Sequence, residues 1–210
     1  WLHDCGKIVT PDHVMEKATK LETIHNRIHE VRTRFEVLRR DAEIEMLKRK
    51  LDGEDALKCE ADFARRVTEL ETQFAMVADA NIGDTELDTD TIFALHDIAE
   101  QEWTRYFDRT IGLSWSEQQR LDDAKLAELR ATGTEKLLMD RETDIYNGFN
   151  RGELYNLSIP HGTLTSEERQ VINDHVVITQ DMLAQLPYPK ELQRIPDIAG
   201  NHHEKMDGSG

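Results

Sequence analysis

Residues 21–42 read LETIHNRIHEVRTRFEVLRRDA. Within them Leu21, Ile24, Ile28, Val31, Phe35, Leu38 and Ala42 recur at alternating steps of three and four. That is the a/d spacing that seats one helix against another. Asp52-Gly53-Glu54-Asp55 interrupts as a turn, with Asp52 or Asp55 suited to capping the next helix. The seam resumes at Phe63, Val67, Leu70, Phe74 and Val77, so the pattern predicts an antiparallel helical hairpin ended by Asn81-Ile82-Gly83-Asp84.

Outward from the hairpin the rhythm stays helical. A third helix is expected over about Thr89–Thr110, with Ile92, Leu95, Ala99, Trp103 and Tyr106 on one side. A weaker one is expected from Ser114 to about Ala131, and residues 133–150 read as irregular. Trp103, Tyr106, Phe107 and Trp115 are expected to be core rather than a base-stacking platform. No strand-like alternation of useful length stands out. Three of the five prolines lie between Pro187 and Pro196, which leaves long helices free to form elsewhere. The expected fold class is all-α.

The formal net charge of −16 repels phosphate backbones, which argues against a nucleic-acid polymer as partner. An anionic substrate is compatible with it only where bound cations reverse the local field. Cys5 and Cys59, without CxxC spacing, suit a reducing cytosol and a cytoplasmic location. No run is long and apolar enough for a membrane contact by this segment. The chain opens at Trp1-Leu2-His3-Asp4 and stops at Gly208-Ser209-Gly210, inside motif-like stretches, and so reads as a piece of a longer protein.

Candidate chemistry gathers near the two ends. His3-Asp4 is an adjacent imidazole–carboxylate pair, a dipeptide common by chance but able to hold a divalent transition ion. Lys7, at i+4 from His3 on one helix, would point to the same side and could meet a phosphate oxygen. Thr165 and Glu168 stand at capping-box spacing at the start of a helix that leads to His175. Another short helix, Ile195 to Ala199, runs into His202-His203-Glu204, with Asp207 close behind and glycines at 200, 208 and 210. Such a mixture of imidazoles and carboxylates selects iron, manganese or a similar ion over calcium.

These segments resemble the HD-GYP family. His3-Asp4-Cys5-Gly6-Lys7, then Pro11-Asp12 and Lys17-Ala18-Thr19-Lys20-Leu21, are similar to its HDxGK opening and KxxKL stretch. Gly162-Thr163-Leu164-Thr165-Ser166-Glu167-Glu168 with His175 is similar to its GxLTxEE helix start. His202-His203-Glu204-Lys205-Met206-Asp207-Gly208-Ser209-Gly210 follows its HHExxDGxG signature, with Lys205 where arginine is frequent. The resemblance implies an HD-type helical bundle carrying two or three divalent transition metals, iron or manganese. It implies cyclic di-GMP as substrate, hydrolysed by a metal-activated hydroxide. By motif match His3, Asp4, His175, His202 and His203 would be metal ligands, with Asp4 and Lys7 catalytic. Lys7 would contact phosphate, and Glu204 and Asp207 would orient the ligands. Residues 1–21 and 151–210 would be two parts of the domain, and 22–150 an insertion of about 130 residues where the family has a short link.

Other residues are weighed against this. His161, before Gly162, is a candidate substrate contact. His25 and His29 form an i, i+4 pair on the flank of the seam and read as solvated, and His96 reads as structural. The heptads favour a partner helix in the same chain or in a second copy, hence an expected homodimer through the insertion. Two competing readings are another HD-type nucleotide phosphohydrolase and a non-catalytic nucleotide-binding signalling module.

Overall fold

The computed structural model describes residues 2–119, 121–140 and 152–205. It is mostly helical, as the periodicity predicts. A 3-10 turn at Cys5–Val9 and a short helix α1 (Asp12–Met15) lead to the hairpin, α2 (Ile28–Leu51) and α3 (Ala56–Ile82). Asp55 caps α3 by accepting from Lys58 N, and Gly83 ends it in the left-handed region at φ 78°. α4 (Thr89–Ala99) starts at Asp88, and α5 (Trp115–Gln118) and α6 (Asp123–Arg130) follow, α6 capped by Asp122. The later part holds α7 (Glu153–Leu157), α8 (Ser166–Asn173), α9 (His175–Ala184), a 3-10 turn at Lys190–Leu192, and α10 (Ile195–Gly200).

The core joins the base of the hairpin to the segments after it. Leu21, Ile28, Val31, Phe35, Leu70, Val77, Leu95, Leu137, Leu138 and Leu157 are buried in one cluster. Phe35 and Phe74 meet edge to face at 5.4 Å across α2 and α3. Arg34 of α2 forks onto the Glu153 carboxylate of α7 at 2.6 and 3.0 Å and also donates to Leu137 O. All these partners are buried, so the base of residues 22–150 is packed into the same body as α7. Among the described residues no helix is long and apolar enough to cross a membrane.

Three expectations are corrected. The helical seam begins at Ile28 rather than Leu21. Lys20 N and Leu21 N bond to the backbone oxygen and side-chain oxygen of Asn81, and Asn26 Oδ1 takes Ile28 N, so these groups are withdrawn from any helix ladder. Leu21 stays buried, whereas Ile24 is 92% exposed. The third helix stops at Ala99, and Glu102–Arg105 instead forms a strand, β1, antiparallel to β2 (Gly133–Lys136), with Trp103 opposite Glu135. A cross-strand ion pair from Arg105 to Glu135 at 2.7 Å and the bond from Leu137 N to Gln101 O hold this ribbon, long-range partners that a helical period cannot reveal. The aromatic group is also not core: Tyr106, Phe107 and Trp115 are largely exposed, since the chain leaves the helix before they could turn inward.

Candidate metal centre

Three short elements bring the two ends of the chain together. The first 3-10 turn packs on α9, and the backbones come close at Gly6. Gly6 N donates to Thr179 Oγ1 at 2.8 Å, and a Cβ at Gly6 would sit 2.1 Å from His175 O. Only a glycine permits that spacing. Thr179 is fully buried, and the contact delivers Asp4 to the first turn of α9. α10 packs on the same helix and ends in the turn that carries His202 and His203.

There, one donor atom each from Asp4, His175, His202 and His203 lie within 4.8 Å of one another. His175 Nε2 is 3.4 Å from His202 Nε2 and 3.3 Å from His203 Nε2. Asp4 Oδ1 is 3.4 Å from both His175 Nε2 and His202 Nε2. The other ring nitrogens fix the tautomers. Nδ1 of His175 meets Ile172 O and Nδ1 of His202 meets Ala199 O, and a carbonyl can be met only by an N–H. In the neutral rings the two Nε2 atoms therefore turn lone pairs toward each other and toward a carboxylate oxygen. Asp4 Oδ1 is buried with no hydrogen-bond partner among the described residues. Three acceptors facing one point repel unless a cation lies among them, and His203 Nε2 adds a further nitrogen to the group. Donors bound at about 2.0–2.2 Å to a common ion sit roughly 3.3–3.6 Å apart, which these spacings match. The donor set fits a divalent transition metal.

Charge around the cluster is arranged to keep Asp4 ionised. Lys7 Nζ lies 3.0 Å from Asp4 Oδ2 and holds that carboxyl below its ordinary 3.8, against the opposing effect of desolvation. His3 sits at the edge, with Nε2 3.4 Å from Asp4 Oδ2 and its ring edge to face with His202 at 5.1 Å, outside the four-donor group. Desolvation, then the neighbouring His202 and His175, hold the His203 pKa below 6.5. A cavity of about 390 Å³ adjoins the cluster at His3 and His202, with an apolar wall that includes Leu183, Ile195 and Ile198.

Glu204 is exposed beyond the cluster, its backbone N–H closing a turn onto Asn201 O, and Asp207 lies outside the described residues. His161 lines a different cavity that shares no lining residue with the cluster. His25 bonds to Glu30 and His29 to Arg32 on the hairpin surface.

Sequence reasoning missed the residues that position the ligands. Lys17 Nζ, buried, reaches Glu168 Oε2 at 2.7 Å and Asn156 Oδ1 at 2.9 Å. Burial lowers its pKa, and the Glu168 carboxylate opposes that. Glu168 is at the same time the capping-box partner of Thr165, so one carboxylate starts α8 and anchors the segment carrying Asp4. Lys20, 1% exposed, donates to Leu157 O and Ile159 O just past α7, and burial pulls it down to about 8. The two lysines of the KxxKL stretch are thus ties between segments. Thr179 had no signal beyond its place one helical turn after His175.

A family model for the HD domain matches residues 146–210. That span includes His175, His202 and His203. The match supports an HD-superfamily domain there and, in general terms, a metal-dependent phosphohydrolase. No curated protein and no solved structure matches the chain.

Proposed function

We propose that the chain carries the metal centre of an HD-GYP-type phosphodiesterase that hydrolyses cyclic di-GMP, with residues 22–150 inserted between the two parts of its core. The observation that carries this reading is the convergence of Asp4 with His175, His202 and His203. Asp4 and the three imidazoles would hold one ion, iron or manganese, and His3 beside Asp4 Oδ2 would serve a second or third. Divalent ions there would supply Lewis-acid stabilisation of a phosphoryl oxygen and a nucleophile from water at neutral pH.

The chain's own residues do the rest. The carbonyls of Ile172 and Ala199 keep Nε2 of His175 and His202 free of protons and aimed at the ligand point. Lys7 keeps Asp4 charged, and its half-exposed ammonium is placed to turn from Asp4 Oδ2 to a phosphate oxygen of the substrate. The apolar wall beside His3 and His202 would exclude water from one side of the site.

Cyclic di-GMP incubated with the chain and manganese or iron(II) tests the reading. Linear dinucleotide or GMP should appear, and His202→Ala should abolish it. Hydrolysis of other nucleotides but not of cyclic di-GMP would reassign the substrate, and binding without turnover would make the chain a signalling module.

A further inference from the structure

A cavity of about 670 Å³ lies away from the metal centre between α8, the end of α7 and α4. We propose that it binds a small organic anion, a phosphate or carboxylate on a flat apolar body. Its size is that of a drug-sized ligand pocket. Arg169 projects from α8 into its lining, and the guanidinium forms no ion pair among the described residues. His96 of α4 and His161 of the loop before α8 add imidazole donors. Ser158 Oγ, also in the lining, is buried without a hydrogen-bond partner. A buried hydroxyl left unpaired costs stability, and a ligand oxygen would relieve it.

Two carboxylates stand nearby, each bonded to a neutral donor that leaves its charge in place. Asp140, in the lining, accepts from Tyr155 N at the start of α7. Glu167 accepts from the Tyr155 hydroxyl at 2.8 Å. Asp140 is the one carboxylate among the lining residues, set against the Arg169 guanidinium and the donors of His96, His161 and Ser158, in a chain whose formal charge is −16. Leu154 and Leu164 give it apolar walls, which a bare inorganic ion would not use. An anion with an apolar body satisfies both halves. This site goes beyond the phosphodiesterase reading and does not depend on it.

Titration with phenyl phosphate, benzoate and inorganic phosphate, followed by calorimetry and amide NMR with EDTA present, tests the proposal. EDTA removes metal-held phosphate, so the result is independent of the cluster. Phenyl phosphate or benzoate should bind and shift amides of Ser158, His161 and Arg169, and the tighter of the two names the anion. Arg169→Met should weaken binding roughly tenfold to a hundredfold with an unchanged circular dichroism spectrum. His202→Ala should leave it unaltered. No binding by either aromatic anion, inorganic phosphate binding as well as phenyl phosphate, or indifference to Arg169→Met would each overturn it.

Discussion

Every residue of the main apolar cluster falls between Leu21 and Leu157, whereas Asp4, His175, His202 and His203 all lie outside that span. The two regions are held by different forces. The hairpin base and α7 are joined by side-chain burial and the Arg34–Glu153 fork. The metal end is joined by close backbone approach at Gly6, by Thr179, and by two buried lysines that reach back toward α7 and α8. Stability is thus concentrated where no chemistry is placed. The site, assembled from the chain's two ends, depends on a few polar contacts.

This division can be broken in several ways. His202→Ala or Asp4→Ala should abolish manganese binding by calorimetry and lower hydrolysis at least about a thousandfold, because several kcal/mol of transition-state stabilisation go with the ion. The melting of the core should hardly move. A large loss of core stability with either variant would show that the two regions are not separate.

Glu168→Ala leaves Lys17 buried without its carboxylate and should cost about 3–5 kcal/mol in denaturant unfolding. Glu168→Gln should cost less, because the amide still offers an acceptor. Lys20 gives a pH signature. Its folded pKa, about 8, lies below the ordinary 10.5, so between those values the unfolded chain binds more protons. Stability should therefore rise from pH 8 to 10.5, by up to about 3 kcal/mol from this group. Lys20→Met should remove that slope, and an unchanged slope would place the titration elsewhere.

Gly6→Ala sharpens the comparison further. The added methyl meets His175 O, so the first turn must lift from α9 at about 1–3 kcal/mol. Manganese affinity should fall roughly tenfold to a hundredfold while the hairpin keeps its helicity. The smallest effect belongs to the far end. Ile44, Leu47, Leu51 and Leu57 are exposed toward the hairpin tip, where a second copy would dock if the chain dimerises through residues 22–150. Leu47→Glu with Leu51→Lys should change stability by under about 0.5 kcal/mol. Light scattering should show the mass halved, and an unchanged mass removes the dimer.

Legibility followed the same division. Helices α2, α3 and α8 were readable because local period and capping chemistry repeat within a few residues, and Thr165 with Glu168 forms the capping box that their spacing suggests. β1 and β2 were not, because a ribbon pairing Glu102–Arg105 with Gly133–Lys136 depends on a partner some thirty residues away. Ile24 shows the limit from the other side: it keeps the seam's spacing, yet Asn26 and Asn81 capture the backbone around it and leave it in solvent.

By itself the sequence determined that the protein is mainly helical and acidic, with its imidazoles and carboxylates of interest in short stretches near both ends. Periodicity and residue type are local properties, and a chain carries them whether folded or not. Tertiary structure alone decided that Asp4 faces His175, that His3 stands at the edge, and that His161 belongs to another cavity. Those outcomes rest on contacts between residues more than a hundred positions apart, such as Gly6 with Thr179 and Lys17 with Glu168. Only packing sets their distances and their energies.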